Sequence, residues 1–168
     1  MGKLIGKKAK THYQNNWHLI GGRLLGEKAW QLYDKSMAIE EAGFSINPRA
    51  VLSMEWTEKL KSNEKRYTDK EIDDLKLILK ILNSSPFLVV RSSANGDSRG
   101  FGAYKSVFCK NNLNELITAI NEVLDSENTP SAIAFRKDAG FNSGMAIIIE
   151  PMIGREYNCF LDPALLTN

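Results

Sequence analysis

The chain has 168 residues, 43% of them hydrophobic and 25% charged, which is enough to bury the core of one domain and too apolar for a disordered chain. Its 22 Lys+Arg against 20 Asp+Glu leave a net charge of +2, too balanced for a dedicated nucleic-acid binder. No apolar run approaches the ~18 residues of a membrane span, no apolar stretch follows the early lysines as in a signal peptide, and two cysteines, Cys109 and Cys159, make neither a disulfide scaffold nor a zinc site.

Residues 1–16 are polar and basic and read as a weakly packed arm. Asn15-Asn16-Trp17-His18 is a poor strand by composition. The glycine-dense run Gly21 to Gly26 then leads into a helical pattern over Glu27 to Ala42, with Ala29, Tyr33, Met37 and Ile39 apolar and Gly43 as a stop. Pro48 and Ala50-Val51-Leu52 suggest a loop feeding a short strand. Ser53 to Lys61 suggests a short helix with Trp56 and Leu60 four apart.

Thr68-Asp69-Lys70-Glu71 spells a capping box, and the helix it opens places Ile72, Leu75, Leu79 and Leu82 on one face. Asn83 to Pro86 ends it, and Phe87-Leu88-Val89-Val90 reads as a buried strand. Tyr104 to Cys109 alternates as another strand. Asn112, with Glu115 three residues on, caps a helix whose apolar face is Leu116, Ile120, Val123 and Leu124. Thr129-Pro130 opens a further helix, because proline fits the first helical position. Met145 to Ile149 is the most strand-like run, with Pro151 as its break, and Tyr157 to Leu161 starts one more strand. Helices and strands are mixed without an internal repeat, so the class is α+β or α/β.

Three clusters could carry chemistry. Gly21 to Lys28 nearly spells a Walker A loop, but Glu27 precedes the lysine and Ala29 stands where Ser or Thr would bind a cation. Arg91 follows a buried strand, with the hydroxyls of Ser92 and Ser93 and a loop holding Gly96, Gly100 and Gly102. Arginine pairs well with phosphate oxygens, and glycine backbone lets N–H groups approach a polyphosphate. Glu150-Pro151-Met152-Ile153 follows a strand, where backbone groups beside apolar side chains could hold an adenine. Alone, each cluster also fits a plain turn or strand end. His12 and His18 have no nearby carboxylate partner, and neither a catalytic triad nor a metal site is assigned.

In this order the clusters resemble the N-terminal nucleotide-binding domain of the pyruvate phosphate dikinase and phosphoenolpyruvate synthase family, shared by rifampicin phosphotransferase and the glucan dikinases. Gly26-Glu27-Lys28-Ala29-Trp30-Gln31-Leu32 is similar to its "GGKxxxL", and Gly43 to Pro48 to the "GhxVPxGF" stretch that follows. Val90-Arg91-Ser92-Ser93 is similar to "VRSS". Asp97-Ser98 with Gly102-Ala103-Tyr104-Lys105-Ser106 resembles the "EDS…FAGxYxT" glycine loop. Leu116 to Val123 and Ala132 to Phe135 resemble "L..AI..V…A..Y", and Ala146 to Ile153 resembles "VVVQxMV". This chain departs from the pattern in three places: the glycine loop is shorter, Glu27 replaces a glycine, and Glu150 replaces a glutamine.

The resemblance implies an ATP-grasp-like front lobe of class α+β, with a small mixed sheet and flanking helices. Residues 1–16 are the arm, 17–149 the lobe, and 150–168 the hinge and start of a second lobe. It implies ATP held by Lys28, Arg91, Ser92, Ser93, Gly100 and Gly102 at the phosphates and by Glu150 and Met152 at the base. Mg²⁺ ligands are expected outside this chain, in the lobe after the linker. The implied activity is that of a cytoplasmic, ATP-dependent phosphotransferase acting on a mobile phosphohistidine domain, with this chain inactive alone. The alternative is a degenerate, non-catalytic nucleotide- or protein-binding module. Neither nucleic acid nor membrane is expected as a partner, and an apolar patch at Met152 and Ile153 favours self-association.

Overall fold

The computed structural model describes residues 7–8, 16–96 and 102–152. Its centre is a five-stranded mixed sheet in the order β2-β4-β7-β5-β6. The strands are β2 (Trp17–Ile20), β4 (Arg49–Leu52), β5 (Phe87–Ala94), β6 (Ser106–Lys110) and β7 (Met145–Pro151). β2 and β4 run parallel, and every other pairing is antiparallel. A two-residue strand, β1 (Lys7–Lys8), pairs with β3 (Leu24–Leu25) beside the sheet.

The two faces are covered unequally. α2 (Met54–Ser62), α3 (Asp69–Ile81) and α4 (Leu113–Asp125) pack on one face, with Trp56, Leu60, Leu75, Ile78, Leu116, Ile120 and Val123 against Leu52, Leu88, Val90, Ile147 and Ile149. α1 (Glu27–Glu41) covers part of the other, where Ala29 and Tyr33 meet Trp17, Val51, Ala146 and Ile148. Burial on both sides makes β7 apolar from Met145 through Ile149, the pattern of a central strand. α5 (Pro130–Ala139) leads into it.

The expected class, the mixed sheet and the flanking helices are all present. The capping box at Thr68 and Glu71 forms, Asn112 Oδ1 accepts from the Glu115 amide at 3.0 Å, and Pro130 sits in the first turn of α5 after Thr129. Local expectations differ in several places. Arg91, Ser92 and Ser93, expected to follow a strand, lie within β5, because β7 pairs with it as far as Ala94, and β6 begins at Ser106 rather than Tyr104. Trp17–Ile20 is a strand despite its polar lead-in, because Trp17 and Ile20 turn inward against α1 and the core while the edge needs no apolar outer row. Lys7–Lys8, inside the expected arm, pairs through its backbone, which asks nothing of side-chain polarity. β7 runs through Glu150 to Pro151 opposite Leu88, since proline is tolerated at a strand end. The strand expected at 157–161 lies outside the described residues.

Candidate functional site

α1 meets the sheet at the end of β5, and a glycine makes the approach close enough. A Cβ on Gly26 would stand 1.6 Å from the Ser93 carbonyl oxygen, well inside contact distance. Gly26 has no side chain to cap the helix. Instead Ser93 Oγ accepts from the Ala29 amide at 2.8 Å, a capping bond delivered from a distant strand. Lys28, in the first turn, extends its Nζ to the Ser92 carbonyl at 3.1 Å.

Strand register then sorts the site residues by face. Arg91 lies opposite Ile148, and Ser93 opposite Ala146, so both share the α1 face. Ser92 lies opposite Ile147 and is buried on the three-helix face, so only its carbonyl reaches Lys28. Lys28 and Arg91, far apart in sequence, are thus brought to neighbouring positions of β5: Lys28 Nζ meets the carbonyl of Ser92, the residue after Arg91. The hydroxyls of Ser92 and Ser93 are not gathered with them: one faces away, and the other caps α1.

Glu150 sits opposite Val89, on the α1 face and one row from Arg91. Arg91 Nη1 donates to Glu150 Oε2 at 3.3 Å. Arg49 Nε stands 3.1 Å from Glu150 Oε1, an ion-pair distance without the alignment of a hydrogen bond. Arg49 also lies over the Trp17 ring, 5.0 Å from its centroid, and its Nη1 donates to Ser36 Oγ at 3.4 Å. Sequence reasoning did not single out Arg49. Its signal is visible only through the register, in which Ala50 opposes Ile149 and so sets Arg49 beside Glu150.

Beyond α1 the same face carries exposed apolar side chains. Phe108 and Val89 oppose one another, Phe108 is 66% exposed and Phe87 is 47% exposed. Met152, 39% exposed, follows Pro151, but its backbone is engaged: its N–H donates to the Phe87 carbonyl at 2.9 Å and its carbonyl accepts from Ser85 Oγ at 2.9 Å. Gly102 has a positive φ of 81°, and a Cβ there would meet nothing within 4 Å. Gly100, Asp97, Ser98 and Ile153 lie outside the described residues.

The Walker-like run is explained by a different contact. Glu55 Oε1 and Oε2 accept from the Arg23 and Leu24 amides at 3.1–3.2 Å, so an intrachain carboxylate fills the bend. A Cβ on Gly22 would strike that carboxylate at 2.5 Å, and one on Gly21 would strike Trp56 at 2.4 Å. Desolvation holds the half-buried His18 below the usual imidazole range.

Cations at one end and exposed apolar side chains at the other suit one side of a nucleotide cleft. The donor set does not suit a divalent cation. Glu150 is already neutralised by two guanidinium groups, and among the described residues no three His, Cys, Asp or Glu side chains cluster as ligands. Among the described residues, too, no helix is long and apolar enough to cross a membrane.

Residues 27–159 fit the family model for the pyruvate phosphate dikinase AMP/ATP-binding domain, which is well over half the chain, and the chain belongs to that family. No curated protein and no solved structure matches it significantly.

Proposed function

With membership of that ATP-binding family as the premise, we propose that this chain is the front lobe of a dikinase that uses ATP to phosphorylate a mobile histidine domain, as in phosphoenolpyruvate synthase or pyruvate phosphate dikinase. The observation that supports the reading is the bond from Lys28 Nζ to the carbonyl of Ser92, next to Arg91 in β5, at the foot of the close α1 contact. Two cations offset a triphosphate better than one, and a docked helix and strand hold them at fixed spacing. Gly100 and Gly102 belong to the loop that covers the phosphates, and Met152 lies at the base end, contributing its side chain. Ser92 and Ser93 support the site through a carbonyl and a helix cap. Mg²⁺, bound with ATP, would offset charge on the phosphates. This chain's part is to bind and orient the nucleotide.

One observation favours the alternative of a non-catalytic binding module: the guanidinium of Arg91 is already paired with Glu150. The exposed Phe87, Phe108 and Met152 give this lobe a surface for a second lobe or for self-association.

Calorimetry with ATP tests the reading. The chain alone is expected to bind ATP weakly, with no gain from Mg²⁺ and no turnover, and Lys28→Ala or Arg91→Ala is expected to abolish the binding. In a chain carrying both lobes, either substitution is expected to cut phosphate transfer by about 10²-fold, the cost of one lost charge-stabilising donor. Binding that neither substitution weakens would overturn the site. Mg²⁺-dependent micromolar binding, or ATP turnover by this chain, would overturn the front-lobe reading.

A further inference from the structure

We propose that Arg49 and Glu150 are positioning residues that clamp Arg91 for phosphate binding, an inference that rests on the reading of Arg91 as a phosphate ligand. The sequence pattern puts Glu150 at the base end of the cleft. Its contacts put it elsewhere in function: both carboxylate oxygens face guanidinium groups, one from Arg49 and one from Arg91.

The three charges are not equivalent. Arg49 is the anchored member: its side chain is 15% exposed, stacks on Trp17 and reaches Ser36 of α1. Glu150 is equally enclosed and belongs to the central strand β7. Arg91 is the outermost, with 41% of its side chain exposed. Enclosure therefore falls from the equally enclosed Arg49 and Glu150 to Arg91, an arginine that solvent, and hence a ligand, can reach. One carboxylate between two arginines leaves one net positive charge, so the clamp orients Arg91 without neutralising the group.

Two effects of Glu150 on phosphate affinity oppose each other. As a counter-charge it weakens attraction for an anion. As a clamp it removes rotamer freedom that an arginine would otherwise lose on binding, and that loss is among the largest of any side chain. The pair lies partly in solvent, where the charge effect is screened, so the clamp effect prevails. The two roles predict opposite signs for one isosteric substitution.

The test uses the 168-residue chain with Glu150→Gln, Arg49→Met and Arg49→Lys, each checked for an unchanged circular dichroism spectrum. The first readout is the rotation of the Arg91 guanidinium about its Nε–Cζ bond, followed by nitrogen-15 spectra without ligand. Slow rotation is expected in the parent, fast rotation in Glu150→Gln and Arg49→Met, and partial recovery in Arg49→Lys, which restores charge without the planar fork. Unchanged rotation in Glu150→Gln overturns the clamp. The second readout is titration with inorganic triphosphate, monitored on the same Arg91 signal. Glu150→Gln is expected to weaken binding about fivefold or more, although it removes a negative charge. Equal or tighter binding overturns the proposal and makes Glu150 a counter-charge. Triphosphate that leaves Arg91 undisturbed in the parent removes the phosphate reading itself, a result distinct from the ligand-free spectra.

Discussion

Glu71 carries two jobs in one carboxylate. It accepts from the Thr68 amide at 2.9 Å and from the Thr68 hydroxyl, and its Oε1 meets Lys59 Nζ at 2.5 Å. Lys59 first, then Thr68, hold its pKa down at about 2 against the desolvation that would raise it. A carboxylate depressed in the folded state stabilises the fold above its unfolded pKa, and the contribution vanishes as pH falls through the folded value. The window is therefore from about 4.5 down to about 2. Because Lys59 is largely exposed, the ion pair is discounted for screening, and Glu71→Gln is expected to cost about 1–2 kcal/mol at neutral pH. Urea unfolding at pH 7 and pH 3 checks this: the gap between parent and variant should narrow at the lower pH. The capping box was legible from four consecutive residues. The lysine that completes it was not, because it comes from α2, across the turn at 63–67.

At the scale of elements, helix starts were the most legible feature and strand ends the least. A cap needs only a side chain and an amide three residues away, so Thr68, Asn112 and Thr129 announce themselves locally. Asn112→Ala is expected to lower stability by about 1 kcal/mol, measured by thermal or denaturant unfolding, with the helix itself retained because Leu116, Ile120 and Val123 stay buried. Strand limits depend on a partner. β2 exists because β4 lies beside it in parallel, and β7 reaches Pro151 because Leu88 is there to pair with it. Neither partner is written nearby in the sequence. The apolar period also misjudged α1 toward its C-terminal end, where Ile39 is exposed and Ser36 is buried beneath Arg49.

For the whole molecule, the site's cations were legible and their company was not. Lys28 and Arg91 stand in recognisable patterns, whereas the Arg49–Glu150 pair is a product of register between β4, β5 and β7. The contact at Gly26 reaches furthest across the fold, since it ties the first helix to a strand more than sixty residues later. First-turn amides of a helix ordinarily trade their hydrogens with water freely, having no acceptor in the preceding turn. The Ala29 amide does not share that freedom, because its hydrogen is held by a serine in a strand next to the central one. Its release requires that β5 separate from α1, so its deuterium uptake should be as slow as that of Ile148 in β7, and far slower than that of Glu27. Ser93→Ala should return it to the fast class, while Gly26→Ala should accelerate both α1 and β5 by forcing the two apart. A single amide in the first helix thus works as a clock for the parting of that helix from the sheet.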